Sequence, residues 1–168
     1  SHGHRSMNVV FMGTPEFARR ILTHLCDSGR HKVLAVVTGP EKQFGRGRKL
    51  LRTACHEEAL TRGLPVLTPQ SLKDPALREA LDKLRTDLFV VAAFRILPPS
   101  LYNIPSMGSI NIHASLLPAY RGAAPINWAI VNGEKETGLT SFFLKELVDT
   151  GDMILQKKTA ISNDDTYD

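Results

Sequence analysis

Short apolar runs alternate with amphipathic stretches along most of the chain. Residues 7–12 form an apolar run of strand length, the pattern of a strand buried on both faces. Gly13-Thr-Pro-Glu follows, and residues 17–25 then take helical spacing, with Pro15 suited to the first turn of that helix. The valine-rich run 32–38 predicts a second strand, and the polar, basic, glycine-rich residues 39–49 predict a loop. Helical spacing over 50–62 ends at Gly63, and 64–67 reads as a third short strand. Asp74 is placed to cap a helix over 75–84. A fourth strand is expected over 87–93, a helical turn over 98–102 and a fifth strand over 109–113. Beyond these the pattern predicts a helix over 125–131 and strands over 137–145 and 153–161.

Strands that alternate with helices predict an α/β domain with a largely parallel sheet, right-handed crossovers and helices on both faces. The last two predicted strands are joined by residues 146–152, too few for a crossover helix, so that pair is expected to be antiparallel. The expected class is therefore α/β, a Rossmann-like doubly wound, mostly parallel sheet with an antiparallel C-terminal strand pair. Internal repeats and low-complexity segments are absent from the sequence. A length of 168 residues suits one domain with a real core. Residues 1–6 read as a cloning scar ahead of an initiator-like Met7, leaving 7–168 as the domain. The closing residues 163–168 read as a polar loop running into another helix, so a further domain is expected beyond them.

Composition narrows the class little. The apolar share of 42% and the charged share of 23% are those of a soluble globular protein, and no apolar run is long enough to span a membrane. The formal charge is +4; setting Arg5 aside with the scar leaves 20 basic side chains against 17 acidic, or +3. That excess permits a nucleic-acid partner without demanding one. Cys26 and Cys55 form no CxxC pair and sit in helical contexts, which reads as two idle or buried cytosolic thiols.

In an open doubly wound sheet, ligands bind beyond the carboxyl ends of the strands, where the winding reverses. Four polar segments fall at such ends: Gly13-Thr14-Pro15, Phe94-Arg95-Ile96-Leu97-Pro98, Asn111-Ile112-His113 and Asp149-Thr150-Gly151-Asp152. The dinucleotide fingerprint GxGxxG is absent after the first strand, and Gly45-Arg-Gly-Arg-Lys-Leu50 lacks its third glycine. A nicotinamide-binding Rossmann domain is accordingly the weakest reading. Alternate residues on a strand share a face, so Asn111 and His113 are expected to project together, opposite Ile110 and Ile112. Taken alone, an Asn-x-His at a strand end also fits a satisfied structural pair.

The stretch Asn111-Ile-His-Ala-Ser-Leu-Leu-Pro-Ala-Tyr-Arg-Gly-Ala-Ala-Pro125 resembles the signature of the folate-dependent formyltransferases, and Val148-Asp-Thr-Gly-Asp152 resembles that family's second signature. Gly13-Thr-Pro-Glu-Phe17, the basic Gly45–Leu50 segment and Gly63-Leu-Pro-Val66 resemble the methionyl-tRNA branch. The likeness runs from Met7 to the last residue. It implies the formyltransferase fold, a cytoplasmic location, 10-formyltetrahydrofolate as formyl donor, initiator methionyl-tRNA as acceptor, and a role in translation initiation. It implies no metal, membrane or obligatory protein partner; His113 also lacks a second histidine or cysteine at ligand spacing. A second domain that grips the tRNA is implied beyond Asp168.

The resemblance also implies roles for residues. Asn111 and His113 would donate to the oxyanion of a tetrahedral intermediate, and Asp149 would orient the imidazole and relay a proton. Asp152 reads as structural, bonding loop amides. Ser115, Leu116, Leu117 and Pro118 would line the folate pocket, the last with a cis bond, although an apolar loop capping the core fits them too. Phe94, Arg95, Ile96 and Leu97 would wrap the pterin through main-chain groups. Many members of the tRNA branch have Tyr-Gly where this chain has Phe94-Arg95, and its Arg-Ile-Leu form is similar to the glycinamide ribonucleotide branch.

Lys42, Arg46, Arg48 and Lys49 fall within eight positions. A solvated basic loop accounts for such a run on composition alone, while four cations on a glycine-rich segment also suit phosphates. In the tRNA branch a loop at this place enters the acceptor stem, with Arg46 matching its key arginine. Two alternatives stay open beside that reading: formylation of an amino-sugar nucleotide or glycinamide ribonucleotide, and a folate-binding module without turnover.

Overall fold

In the computed structural model, residues 6–47, 49–114, 124–130 and 153–157 are described. Nine strands and four helices are found among them: β1 Asn8–Gly13, α1 Glu16–Ser28, β2 Lys32–Val37, β3 Lys42–Phe44, β4 Lys49–Leu51, α2 Ala54–Thr61, β5 Val66–Leu67, α3 Pro75–Lys83, β6 Leu88–Ala92, α4 Pro99–Tyr102, β7 Ser109–Ala114, β8 Ala124–Ile130 and β9 Met153–Lys157. Seven strands make one sheet in the order β5-β2-β1-β6-β7-β8-β9. The first five are mutually parallel, with β1 at the centre between β2 and β6.

The central parallel strands β1 and β6 are apolar along nearly their whole length because both faces are covered. Val9 and Phe11 pack with Ala18, Ile21, Leu22 and Leu25 of α1 and with Cys55 and Ala59 of α2. Val10 and Met12, pointing the other way, pack with Leu77 and Leu81 of α3 and Leu101 of α4. On the first face α1 and α2 are also tied by ion pairs, Arg19 to Glu58 at 3.1 Å and Arg62 to Asp27 at 2.9 Å. Desolvation in this core pushes the Cys55 thiol up to about 12, so it stays protonated and inert.

Local signals set the element ends. Asp74 caps α3, its carboxylate accepting from the Ala76 amide at 3.0 Å. Thr53 caps α2 in the same manner, accepting from the His56 amide at 3.0 Å. Pro15 stands one position earlier than expected, as the N-cap of α1, with extended backbone. Gly63 takes φ +71 at the end of α2, a conformation that costs a glycine nothing.

Two expectations are corrected. Residues 39–49 contain a two-stranded antiparallel hairpin, β3–β4, and Leu50 and Leu51 belong to its second strand, so the helix expected from 50 begins only at Ala54. Residues 124–130 form β8 rather than a helix. Ile126, Trp128 and Ile130 alternate there with smaller or polar residues, and branched and aromatic side chains at period two favour a pleated surface over a helix. The mostly parallel sheet with antiparallel C-terminal strands is found as expected: the antiparallel step lies between β7 and β8, and β9 runs parallel to β8, so these two strands run against the other five. The strand expected over 137–145 lies outside the described residues.

Candidate active site

The chain winds outward from β1 through β2 to β5, then returns to the other side of β1 with β6, so the winding reverses between β1 and β6. Beyond the carboxyl ends of these two strands lies a cleft of about 640 Å³. Its walls include Thr14 after β1, Gly39 and Pro40 after β2, Phe94 and Arg95 after β6, and Lys42, Phe44 and Leu51 of the hairpin. A second cleft of about 650 Å³ opens on the far side of Arg95, against Ser71, Ile96, Leu97, Pro98 and Tyr102. Arg95 and Gln70 are common to both walls.

Close packing brings these segments together. A Cβ on Gly13 would lie 2.6 Å from the Ala18 Cβ, 2.7 Å from the Ala92 carbonyl oxygen and 2.9 Å from the Phe11 ring. Only glycine lets the end of β1 pass so near β6 and α1. The Thr14 hydroxyl accepts from the Gly39 amide at 3.2 Å, and the Thr38 and Thr53 hydroxyls share a hydrogen bond at 2.5 Å. The last residue before the hairpin segment and the cap of α2 are thereby pinned to one another and to the β1–α1 turn. Between these pins, Arg52 pairs with Glu41 at 3.4 Å.

At the end of β6, Ala93 takes φ +50, the left-handed region that costs a residue other than glycine on the order of 1–3 kcal/mol. Its amide is held by the Ile112 carbonyl at 3.2 Å, which anchors the turn to β7. The chain then drives Phe94 into the core and sends Arg95 outward. The Arg95 guanidinium donates to the carbonyls of Gln70 at 3.0 Å and Pro69 at 2.9 Å, and lies 5.0 Å from the Phe94 ring centroid. Partial burial lowers its pKa from the usual arginine value, yet a guanidinium stays charged. Arg95 is a strut between the two clefts, with two of its N–H groups donated to main chain.

Asn111 lies on β7 in register with Val91 of β6, on the α3 and α4 face. It is buried, and its Oδ1 accepts no hydrogen bond from a described residue. It lines neither cleft. His113 follows two positions later, its backbone in register with Asn127 of β8. Lys42 reaches the first cleft; Arg46 is exposed in the hairpin turn and Lys49 is exposed on β4. Arg48, Ser115, Leu116, Leu117, Pro118 and Asp149 lie outside the described residues. Phe44, Leu51 and Arg52 were not singled out from sequence. Lys42-Gln-Phe44 and Lys49-Leu-Leu51 flanking Gly45-Arg-Gly47, with Gly45 at φ +72, are the hairpin signal that would have found them. No group of three or more metal-ligating side chains converges among the described residues, and no described helix is long and apolar enough to cross a membrane.

The sequence profile of the formyl transferase family matches residues 7–168. The chain belongs to that family. Curated relatives include methionyl-tRNA formyltransferase of Caldanaerobacter subterraneus subsp. tengcongensis, 52% identical over 161 residues, which are 95% of this chain and 52% of that protein. The methionyl-tRNA formyltransferase of Flavobacterium psychrophilum is 48% identical over 158 residues, 94% of this chain and 50% of that protein. This formyl transferase chain thus spans about half the length of the curated relatives it matches. Among solved structures, glycinamide ribonucleotide transformylase 1 from Symbiobacterium toebii aligns with a TM-score of 0.54 at 16% identity, over 88% of this chain and 83% of that one. That likeness establishes a shared formyl transferase fold: the doubly wound, mostly parallel sheet.

Proposed function

We propose that this domain transfers the formyl group of 10-formyltetrahydrofolate to the amino group of methionine on initiator tRNA, in the cytoplasm, at the start of translation. The observation that carries the acceptor is the hairpin with Lys42, Arg46 and Lys49 beside the switch-point cleft. A further domain beyond residue 168 that holds the body of the tRNA belongs to the same reading.

The donor's flat ring system suits the second cleft, where Ile96, Leu97, Pro98 and Tyr102 offer apolar surface. With Arg95 braced against Pro69 and Gln70, main-chain groups of residues 94–97 are the ones placed to read a pterin edge. In the reaction the amine attacks the formyl carbon, and the carbonyl π pair moves onto oxygen. Asn111 donates an N–H to that oxygen, and His113 donates a second. The amine nitrogen gives up a proton through a water held by His113 and Asp149. The intermediate then collapses, the carbon–N10 bond breaks, and N10 takes a proton. Ser115, Leu116, Leu117 and Pro118 would close the pocket over the donor.

The full-length parent, offered 10-formyltetrahydrofolate with charged initiator tRNA and with glycinamide ribonucleotide in parallel, is expected to formylate the tRNA alone. Formylation of the small acceptor alone would keep the chemistry and overturn the acceptor. Arg46→Ala is expected to raise the KM for tRNA and flatten the salt dependence of binding by about one phosphate contact. The KM for the formyl donor should be unchanged. Equal weakening toward both substrates would remove Arg46 from the tRNA contact.

A further inference from the structure

The hairpin has two unlike faces. Cross-strand register pairs Lys42 with Leu51 and Phe44 with Lys49. Residues opposite one another, and residues two apart, share a face. Lys42, Phe44, Lys49 and Leu51 therefore lie on one side, and Gln43 and Leu50 on the other. The first side is the one turned to the switch-point cleft, since Lys42, Phe44 and Leu51 line it. Phe44 is 58% exposed and Leu51 49% exposed. An aromatic ring held in solvent between two lysines serves no core. A ring for stacking interleaved with cations for phosphates is what single-stranded nucleic acid requires.

Accepting the reading above, the amine to be formylated is esterified to the last nucleotide of an RNA. That nucleotide must come close to the formyl donor. The two clefts share Arg95 and Gln70 as a wall, so an occupant of the first cleft abuts the second. From this we infer that the switch-point cleft takes the unpaired 3′-terminal nucleotide of the acceptor, its base stacked on Phe44 and its phosphate held by Lys42. The hairpin is then a reader of the single-stranded end as well as a cationic arm, and Phe44 is a binding residue. The cleft volume of about 640 Å³ lies within the range of roughly 300–1,000 Å³ of small-ligand sites.

The test uses the full-length parent carrying Phe44→Trp and a short single-stranded RNA with the sequence of the acceptor end. Tryptophan emission should be quenched by this RNA and unaffected by an abasic ribose-phosphate chain of the same length. Phe44→Ala should weaken binding of the RNA by about tenfold or more without changing its salt dependence. Lys42→Ala should lower the salt slope by about one contact. Phe44→Tyr should bind as the parent does. Equal quenching by the abasic chain, or wild-type affinity in Phe44→Ala, would overturn the stacking role. Because Phe44 is exposed, loss of fold is not expected, and circular dichroism of each variant checks it. Binding of RNA is scored apart from formyl transfer, so failure of the parent to formylate tRNA would count against the proposed activity and not against this contact.

Discussion

Asn111→Ala is expected to lower kcat for formyl transfer by about 10²–10³-fold, equivalent to roughly 2.7–4 kcal/mol of lost oxyanion stabilisation. The KM for the formyl donor should move little, because in the proposed role the amide donates to charge that develops only in the transition state. The fold should survive. Asn111 is buried, but its Oδ1 accepts nothing from a described residue, and truncating it leaves no described donor stranded. This separates the catalytic reading from that of a satisfied structural pair, in which truncation would unsettle the strand and leave chemistry untouched. Thermal unfolding together with single-turnover rates decides between them. A rate within about threefold of the parent, or a loss of rate matched by loss of fold, would remove Asn111 from the reaction.

Gly13→Ala is expected to destabilise the chain by about 3 kcal/mol, the upper end of ordinary overpacking. At roughly 2–4 °C per kcal/mol for a domain of this size, the melting temperature should fall by about 6–12 °C. The added methyl meets three atoms inside 3.0 Å, and one of them is the Ala92 carbonyl, part of the strand backbone between β1 and β7. A flexible side chain could move aside, but that oxygen cannot without breaking register. Gly39→Ala is the matched control. Its nearest neighbours stand at 3.5–3.7 Å, ordinary contact, and its melting temperature should stay near the parent's. If the two variants melt together, Gly13 does not owe its place to the close approach of β1, β6 and α1.

Much of this was legible in the sequence, for physical reasons. Continuous apolar runs such as 7–12 and 87–93 announce strands covered on both faces, and both occur where expected, as β1 and β6. Caps are local chemistry, so Asp74 was readable before α3 was seen. The hairpin was missed because its strands are three residues long and exposed, so the glycine-rich, basic composition outweighed the two short runs that flank the turn. The segment 124–130 was misread because a proline near the start of an apolar stretch suits the first turn of a helix as well as the head of a strand. At the site, Phe94–Leu97 fall beyond the end of β6, as the doubly wound rule requires. The task of Arg95 was not legible, since its partners are carbonyls 25 and 26 residues away, and sequence carries no record of which backbone oxygen a guanidinium will find.

The hairpin pairs with itself, in a sheet separate from the seven-stranded one, and is fastened at its base by the Thr38–Thr53 hydroxyl pair. Its side chains can therefore drift, lengthen or exchange without disturbing a ladder hydrogen bond of the domain. On the proposed reading, selection on what is recognised and selection on how the one-carbon unit is moved then act on different stretches of chain. A lineage could address the same chemical engine to a new amine by rewriting some fourteen residues between Thr38 and Thr53, and a laboratory graft across those two threonines could follow the same route.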